Sequence, residues 1–306
     1  MYKITIGIPT YKRPVMLDKL LKSIFACHLD PALVKQVDLI IVDNDVEKTG
    51  EPITAKWSKN ATAPFCVHYF NCPTKGLSNV RNEIIDQALR LDPDYMVSVD
   101  DDQYVTSNWL NELISSIVNN RGDFALGPVI PIFETFVSPA IAQWFWHQKI
   151  EDQKKLSYLE TANLVMRAQF IRDHHLRFDT RFNSLGAEDT YFGISALKKG
   201  ANIFWAAKAT VYETIPAKRA TLQWLIKRRF RVANTYTYIM LLEKRYARVL
   251  KKILVNVAYL IVGALAMVLT PIGFKYRYFG VLKIAESFGG FAGLLNIKFH
   301  EYSTGR

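Results

Sequence analysis

The chain has 306 residues, half of them hydrophobic and 13% aromatic, with a formal net charge of +11. That is enough apolar material for one large domain, or a domain with an appendage, and it excludes a disordered or low-complexity chain. Eleven Lys or Arg and a single acid, Glu243, lie between Pro216 and Lys252, while the rest of the chain is nearly neutral. This basic segment runs directly into the most apolar stretch of the protein. That pattern fits the cytoplasmic edge of a membrane anchor and argues against a nucleic-acid surface. Cys27, Cys66 and Cys72 lack metal-ligand spacing, and with no signal sequence ahead of the first strand they fit reduced, buried thiols in the cytosol.

In chain order, Ile4–Ile8 is predicted as a buried strand that breaks at Pro9-Thr10-Tyr11-Lys12-Arg13-Pro14. A helix with Leu17, Leu20, Leu21, Ile24 and Phe25 on one face follows over Val15–Ala26. Val37–Val42 and Phe65–Phe70 are further strands, Gly76-Leu77-Ser78 opens a helix over Asn79–Leu91, and Tyr95–Val99 is a fourth strand. Strands alternating with helices mean βαβ units and a mainly parallel, Rossmann-like sheet. Neither G-x-G-x-x-G nor a P-loop is present, which argues against dehydrogenases and P-loop NTPases.

The fourth strand runs into Asp100-Asp101-Asp102. Ligands of open α/β sheets bind at this end of the strands. Three adjacent carboxylates repel one another and need a counter-charge, which a divalent cation carrying a phosphate supplies. In an extended chain Asp100 and Asp102 point one way and Asp101 the other, so Asp100 and Asp102 are the metal candidates. A solvated acidic turn is the plain alternative. Val37–Val42 likewise ends in Asp43-Asn44-Asp45, where Asp43 is either a partner for a base or ribose hydroxyl or the head of an Asx-turn. Arg13 and Arg81 either reach a diphosphate, which arginine binds bidentately, or are solvated surface cations.

Further on, Phe178 to Phe192 contains Gly186 and leads into Glu188-Asp189 at the start of an apolar helical pattern. Paired acids at a helix start are ordinary capping chemistry. A carboxylate is also what a weak hydroxyl nucleophile needs as its general base.

Together, Pro9-Thr10-Tyr11-Lys12-Arg13, Val42-Asp43-Asn44, Gly76 to Asn82 and Val99 to Asp102 resemble, in kind and order, the motifs of the family 2 glycosyltransferases. The resemblance covers roughly residues 3–235. It implies a GT-A fold, a nucleotide-sugar donor and inversion at the anomeric carbon. It further implies that Asp189 is the base and Glu188 shapes the acceptor site, and that Asp102 with Asp100 holds Mn²⁺ or Mg²⁺. Pro9, Thr10, Arg13, Asp43, Arg81, Asp100 and Asp101 would line the nucleotide side. Tyr158 to Arg167 resembles the donor-sugar segment and makes Asn163 a candidate. Glu213 stands where many members carry a metal-contacting His, a departure shared with the bacterial exopolysaccharide branch. Arg228-Arg229-Phe230-Arg231 replaces the Gln-x-x-Arg-Trp of polymerising members, so a single sugar addition is expected.

Trp109–Asn119 is a further predicted helix, Asn202–Trp205 and Ala209–Tyr212 are strands, and Thr221–Met240 is a basic helix. Trp144, Phe145 and Trp146 are read as packing aromatics within an Ala140–Gln153 stretch. Ile253–Thr270 is a continuous apolar run ended by Pro271, long enough as a helix for a short membrane span, a re-entrant segment or a buried core helix.

The expected protein is thus an α/β GT-A domain over 1–218 and a basic, apolar helical membrane-associated region over 219–306. It would move a hexose, glucose first among candidates, from a UDP-sugar to a hydroxyl of a lipid-linked glycan at the cytoplasmic face of the membrane. Two rivals remain open at this point. A sugar nucleotidyltransferase would want a Gly-rich loop after the first strand. A non-catalytic subunit of a polysaccharide assembly complex would not need both acidic motifs. Nothing in the sequence sets an oligomeric state.

Overall fold

A computed structural model describes residues 1–146 and 149–299. Residues 147 and 148, at the end of the aromatic stretch, and 300–306, at the end of the C-terminal region, lie outside the described residues. The chain divides into two compact units. The first comprises Met1–Ile130, His147–Asn183 and Glu188–Thr214, the second Pro131–Trp146, Ser184–Ala187 and Ile215–Arg306.

The first half of the chain runs β1 (Tyr2–Thr10), α1 (Pro14–Phe25), β2 (Val34–Asp43), α2 (Glu51–Asn60), β3 (Phe65–Asn71), α3 (Leu77–Arg90), β4 (Tyr95–Val99), β5 (Gln103–Val105), α4 (Trp109–Asn119), β6 (Phe124–Leu126) and β7 (Val129–Phe133). It continues with α5 (Pro139–Ala142), β8 (Lys155–Leu156), β9 (Asn163–Arg167), α6 (Ala168–Asp173), α7 (Glu188–Lys198), β10 (Ile203–Trp205) and β11 (Val211–Ile215). Three long helices follow: α8 (Leu222–Leu242), α9 (Tyr246–Val268) and α10 (Phe274–Leu294).

Eight strands form one sheet in the order β3-β2-β1-β4-β9-β6-β10-β8, and β5-β11-β7 form a smaller one. Pairing is parallel from β3 through β4, antiparallel on both sides of β9, parallel again between β6 and β10, and antiparallel at β8. The sheet is therefore mainly parallel, with β9 as its antiparallel insertion. Because side chains alternate along a strand, β1 sends Ile4, Ile6 and Ile8 into a core with Leu17, Leu20, Leu21 and Ile24 of α1. The opposite face packs Ile40, Val42, Val80, Ile84 and Phe192. Gly7 on β1 is required by this second face: a Cβ there would lie 2.2 Å from Ile84. Both faces are covered, as parallel sheets require, and the carboxyl ends of β1, β2 and β4 share one rim.

Several elements were not expected from the sequence, among them α2 and the short strands β5 to β8. The α2 helix buries only Thr54, so it shows almost no apolar period. The glycine-rich stretch near the C-terminus is helical, within α10. Its Gly289 and Gly293 let the backbone of α8 approach at Phe230 and Asn234. Two of the three aromatics pack within the second unit, where Phe145 stacks on Trp224 and Trp144 lies beside Phe279, whereas Trp146, expected to pack with them, is exposed.

Candidate active site

The acidic triplet does not continue β4 as an extended chain. Asp101 and Asp102 form a turn between β4 and β5, held by a hydrogen bond from the Gln103 amide to the Asp100 carbonyl. The Gln103 side chain accepts in turn from the Asp100 amide at 3.0 Å. The alternation expected of Asp100 and Asp102 is thus replaced by turn geometry, and Asp101 and Asp102 share one partner. Arg13 Nη1 donates to Asp101 Oδ1 at 2.9 Å and to Asp102 Oδ2 at 3.0 Å. Asp101 is buried, and the Thr10 hydroxyl donates to its other oxygen at 2.8 Å. Burial pushes the Asp101 carboxyl up to about 6, although Arg13 pulls it down. Burial works against the charge of Arg13, but Asp101, Asp102 and Asp100 together overcome it and raise its pKa.

The second arginine is buried on α3. Arg81 Nη2 donates to Asp100 Oδ1 at 3.1 Å, Nη1 donates to Ser98 Oγ at 3.2 Å, and Nε lies 3.8 Å from Glu188 Oε1. One guanidinium therefore joins the end of β4 to the start of α7. The charge of the triplet, which the sequence left to a metal, is offset here by Arg13 and Arg81.

Glu188 is buried at the first turn of α7, and Asp189 is partly exposed beside it. Burial raises the Glu188 carboxyl well above the usual carboxylate range. Asp189 adds to the rise and Arg81 opposes it. Asp189 Oδ1 accepts from the Thr190 amide at 2.6 Å and from its hydroxyl at 3.2 Å. These bonds hold one oxygen along the helix start.

The rim of the site is tied together by side-chain amides. Asn44 Nδ2 donates to the Thr74 carbonyl at 2.9 Å, and its Oδ1 accepts from the Gly76 amide at 3.3 Å. Gly76 has φ 124°, and a Cβ there would lie 2.2 Å from Asn183. That space lets Asn183 Oδ1 accept from the Ser78 amide at 2.9 Å, occupying an otherwise orphan N–H at the start of α3. Asn82 and Phe178 exchange two hydrogen bonds of 2.8 Å between side chain and backbone. The segment leading to Glu188-Asp189 is thereby docked on α3, the helix that carries Arg81. Neither Asn82 nor Asn183 was singled out from the sequence, because nothing local marks their long-range partners.

Four of the candidates are buried and held by bonds or packing inside the protein. Asp43 has no exposed surface. Its Oδ1 accepts from the Asp45 amide at 2.9 Å and its Oδ2 from the Gly50 amide at 2.8 Å and the Tyr69 hydroxyl at 3.1 Å. It heads an Asx-turn and shapes the 43–50 loop. Pro9 is buried at the end of β1, and Thr10 spends its hydroxyl on Asp101. Asn163 is a buried brace, accepting from Trp109 Nε1 at 2.8 Å and donating to the carbonyls of Pro128 and Ala209 at 3.1 and 2.7 Å.

Among the described residues no three His, Cys, Asp or Glu side chains group as a metal cage. Glu213 is the register partner of Gln103 across β11 and β5 and does not complete such a set. Asp100 and Asp102, both partly exposed at the turn, offer two carboxylates. That donor set fits Mg²⁺ or Mn²⁺ taking its remaining oxygens from phosphates and water, and it does not fit a cation held by protein alone.

A parallel-sheet domain whose strand ends carry paired acids and arginines, with a second acid pair on a helix start beside them, defines a GT-A-type glycosyltransferase site. Residues 5–180 match the model of glycosyl transferase family 2, and the chain belongs to that family. It is 28% identical over 241 residues to succinoglycan biosynthesis protein ExoM of Rhizobium meliloti (strain 1021), over 76% of this chain and 74% of that one. Among solved structures it is similar to S. aureus TarS residues 1–349 in complex with UDP-GlcNAc. The TM-score is 0.56 at 14% identity, with 96% of this chain and 92% of that one covered. Against the longer TarS chain the TM-score is 0.55, again at 14% identity; the match covers 95% of this chain and spans about half, 55%, of that one. At that identity the TarS likeness speaks for the fold.

Proposed function

We propose that this protein transfers a single hexose, with inversion, from a UDP-sugar to a hydroxyl of a lipid-linked glycan during the synthesis of a surface polysaccharide. The single observation that carries the proposal is Arg81 standing between Asp100 and Glu188. It ties Asp100 at the end of β4 to Glu188 at the start of α7, so the acids that would serve the donor diphosphate and the acceptor hydroxyl lie side by side in this reading. The named relative acts in succinoglycan biosynthesis, and a solved neighbour carries UDP-GlcNAc; both support a nucleotide-sugar donor and a polysaccharide product.

In this reading Asp189 accepts the proton of the attacking hydroxyl, which is a weak nucleophile until a carboxylate within hydrogen-bond reach takes it. The Thr190 bonds to one Asp189 oxygen leave its orientation fixed at the helix start. Glu188, buried against Arg81, sets the wall of the acceptor side. Arg81 and Arg13 hold the Asp100–Asp102 turn in one shape and put positive charge beside the phosphates. The Asp43 loop forms the nucleoside side. Asp102 and Asp100 would hold Mn²⁺ or Mg²⁺, which when bound supplies positive charge to the departing nucleoside diphosphate. In this reading the basic and apolar C-terminal region holds the protein at the cytoplasmic face of the membrane, within reach of a lipid-linked acceptor.

The test is turnover of a panel of UDP-sugars by membranes containing the protein and a lipid extract as acceptor. Release of UDP with one sugar, and a glycolipid product of opposite anomeric configuration, is the expected result. UDP release with none of the sugars would remove the transferase reading and leave a non-catalytic assembly role.

A further inference from the structure

The second unit carries a surface that the transfer reaction does not use. Among the described residues one helix, α9, is long and apolar enough by length and composition to cross a membrane. Its side facing α10 is closed. Val249, Asn256, Gly263 and Ala266 are buried, Gly263 lies against Ile284 and Gly280, and Ser287 Oγ donates to the Asn256 carbonyl at 2.7 Å. Its outer side is open. Leu250, Leu254, Val257, Ile261, Leu265 and Val268 recur at steps of three and four residues, and each is 44 to 75% exposed. These steps put all six on one face of the helix. No charged residue interrupts the exposed face between Leu254 and Val268, a run of about 21 Å at 1.5 Å per residue. Exposed cations stand at both of its ends: Arg248 and Lys251 before it, Lys275 and Arg277 after it.

A crossing helix would have to carry α10 with it, because the two pack along their length. Lys283 of α10 sits with its Nζ 3.8 Å above the ring of Tyr259, near the middle of α9, and 3.2 Å from Glu286. Lys252 of α9 lies 3.8 Å from the same Glu286. Crossing would take these charges into the hydrocarbon, where charged side chains are costly. An in-plane helix with an apolar stripe on one side and cations at its ends meets no such penalty.

We infer that α9 is a monotopic docking surface: it lies in the plane of an anionic lipid surface, with Leu254, Ile261 and Leu265 among the acyl chains and Arg248, Lys251, Lys275 and Arg277 at headgroup level. The inference rests on the membrane reading given above and refines it. The charge pattern selects the occupant. A second copy of this chain would bring the same four cations against their like, whereas phosphatidylglycerol-type headgroups complement them.

The experiment is flotation of the purified full chain with vesicles of phosphatidylcholine alone or mixed with phosphatidylglycerol, followed by alkaline carbonate extraction. The expected result is binding to the anionic vesicles, weakened by high salt and released by carbonate. Ile261→Glu with Leu265→Glu should lower the bound fraction more than about tenfold while the helical far-UV spectrum is kept. Should that variant not fold, Arg248→Gln with Lys251→Gln should weaken binding to anionic vesicles only. Resistance to carbonate with equal binding to neutral vesicles would overturn the inference in favour of a span. A dimer in solution that the glutamate variant dissociates, without vesicle binding, would overturn it in favour of a second copy. Vesicle binding is read without donor or acceptor, so either reading can fail while the other stands.

Discussion

The Nη2 atom of Arg81 donates to Asp100 at 3.1 Å, although the two stand 19 positions apart in sequence, with the rest of α3 and all of β4 between them. The same side chain reaches within 3.8 Å of Glu188 from α7. A cation with little exposure is thus shared by two acidic motifs, and its removal leaves Asp100 and Glu188 without this counter-charge.

Arg81→Met is therefore expected to destabilise the protein by about 3 kcal/mol, the lower end for breaking a buried pair, since the Asp100 side chain is 30% exposed. Adding Glu188→Gln should restore part of the loss, because one stranded carboxylate is then neutral. Urea unfolding of the two single variants and the double variant measures the coupling.

Stability should also depend on pH through Glu188. Its carboxyl is raised in the folded state, chiefly by burial. A group raised on folding contributes stability that is fully present below its unfolded value. That contribution is lost as pH rises through the folded value. Between acid and neutral pH the wild type should lose stability that Glu188→Gln keeps, so the difference in melting temperature between them should shift toward the variant as pH rises. A difference that stays constant from pH 5 to pH 8 would contradict this.

Gly76→Ala should be destabilising by about 1–3 kcal/mol, because φ 124° strains any side chain and the added Cβ meets Asn183. Loss of the Asn183 bond to the Ser78 amide would loosen the docking of the 178–183 segment on α3. Donor turnover should fall further than folded content does, which a parallel measurement of activity and far-UV signal at fixed temperature would report.

Removal of metal should weaken UDP binding. With two protein carboxylates available, Mn²⁺ is expected to tighten UDP by about tenfold or more, and Asp102→Asn should lose most of that gain while keeping the metal-free affinity. Calorimetry with UDP in Mn²⁺ or in chelator makes the comparison. Equal affinity under both conditions would show that Arg13 and Arg81 alone meet the diphosphate.

The α/β alternation, the acidic strand end at Asp100–Asp102 and the acid pair at Glu188-Asp189 were legible because each is a local pattern of residue types. The partners of those acids were not. Arg13 and Arg81 could be read only as cations of no fixed address, since the contacts span 19 to 107 residues of sequence. The alternation rule misplaced Asp101 and Asp102, because it assumes that the strand continues where the chain in fact turns. Asp43 and Asn163 are polar residues at motif positions that also brace the fold, Asp43 through the 43–50 loop and Asn163 through Trp109. Residue type and spacing do not reveal such internal partners. The α2 helix was invisible because a helix that buries one side chain leaves no period.

The central claim is that Asp189 takes the proton of an acceptor hydroxyl. Its most direct test is single-turnover transfer from the active UDP-sugar by the wild type and Asp189→Asn, with UDP affinity measured on the same preparations. The account expects unchanged UDP affinity and a rate reduced by about 10²–10⁴-fold, the usual loss when a general base is removed. A variant that transfers at the wild-type rate would contradict it and return the Glu188-Asp189 pair to a helix-start role.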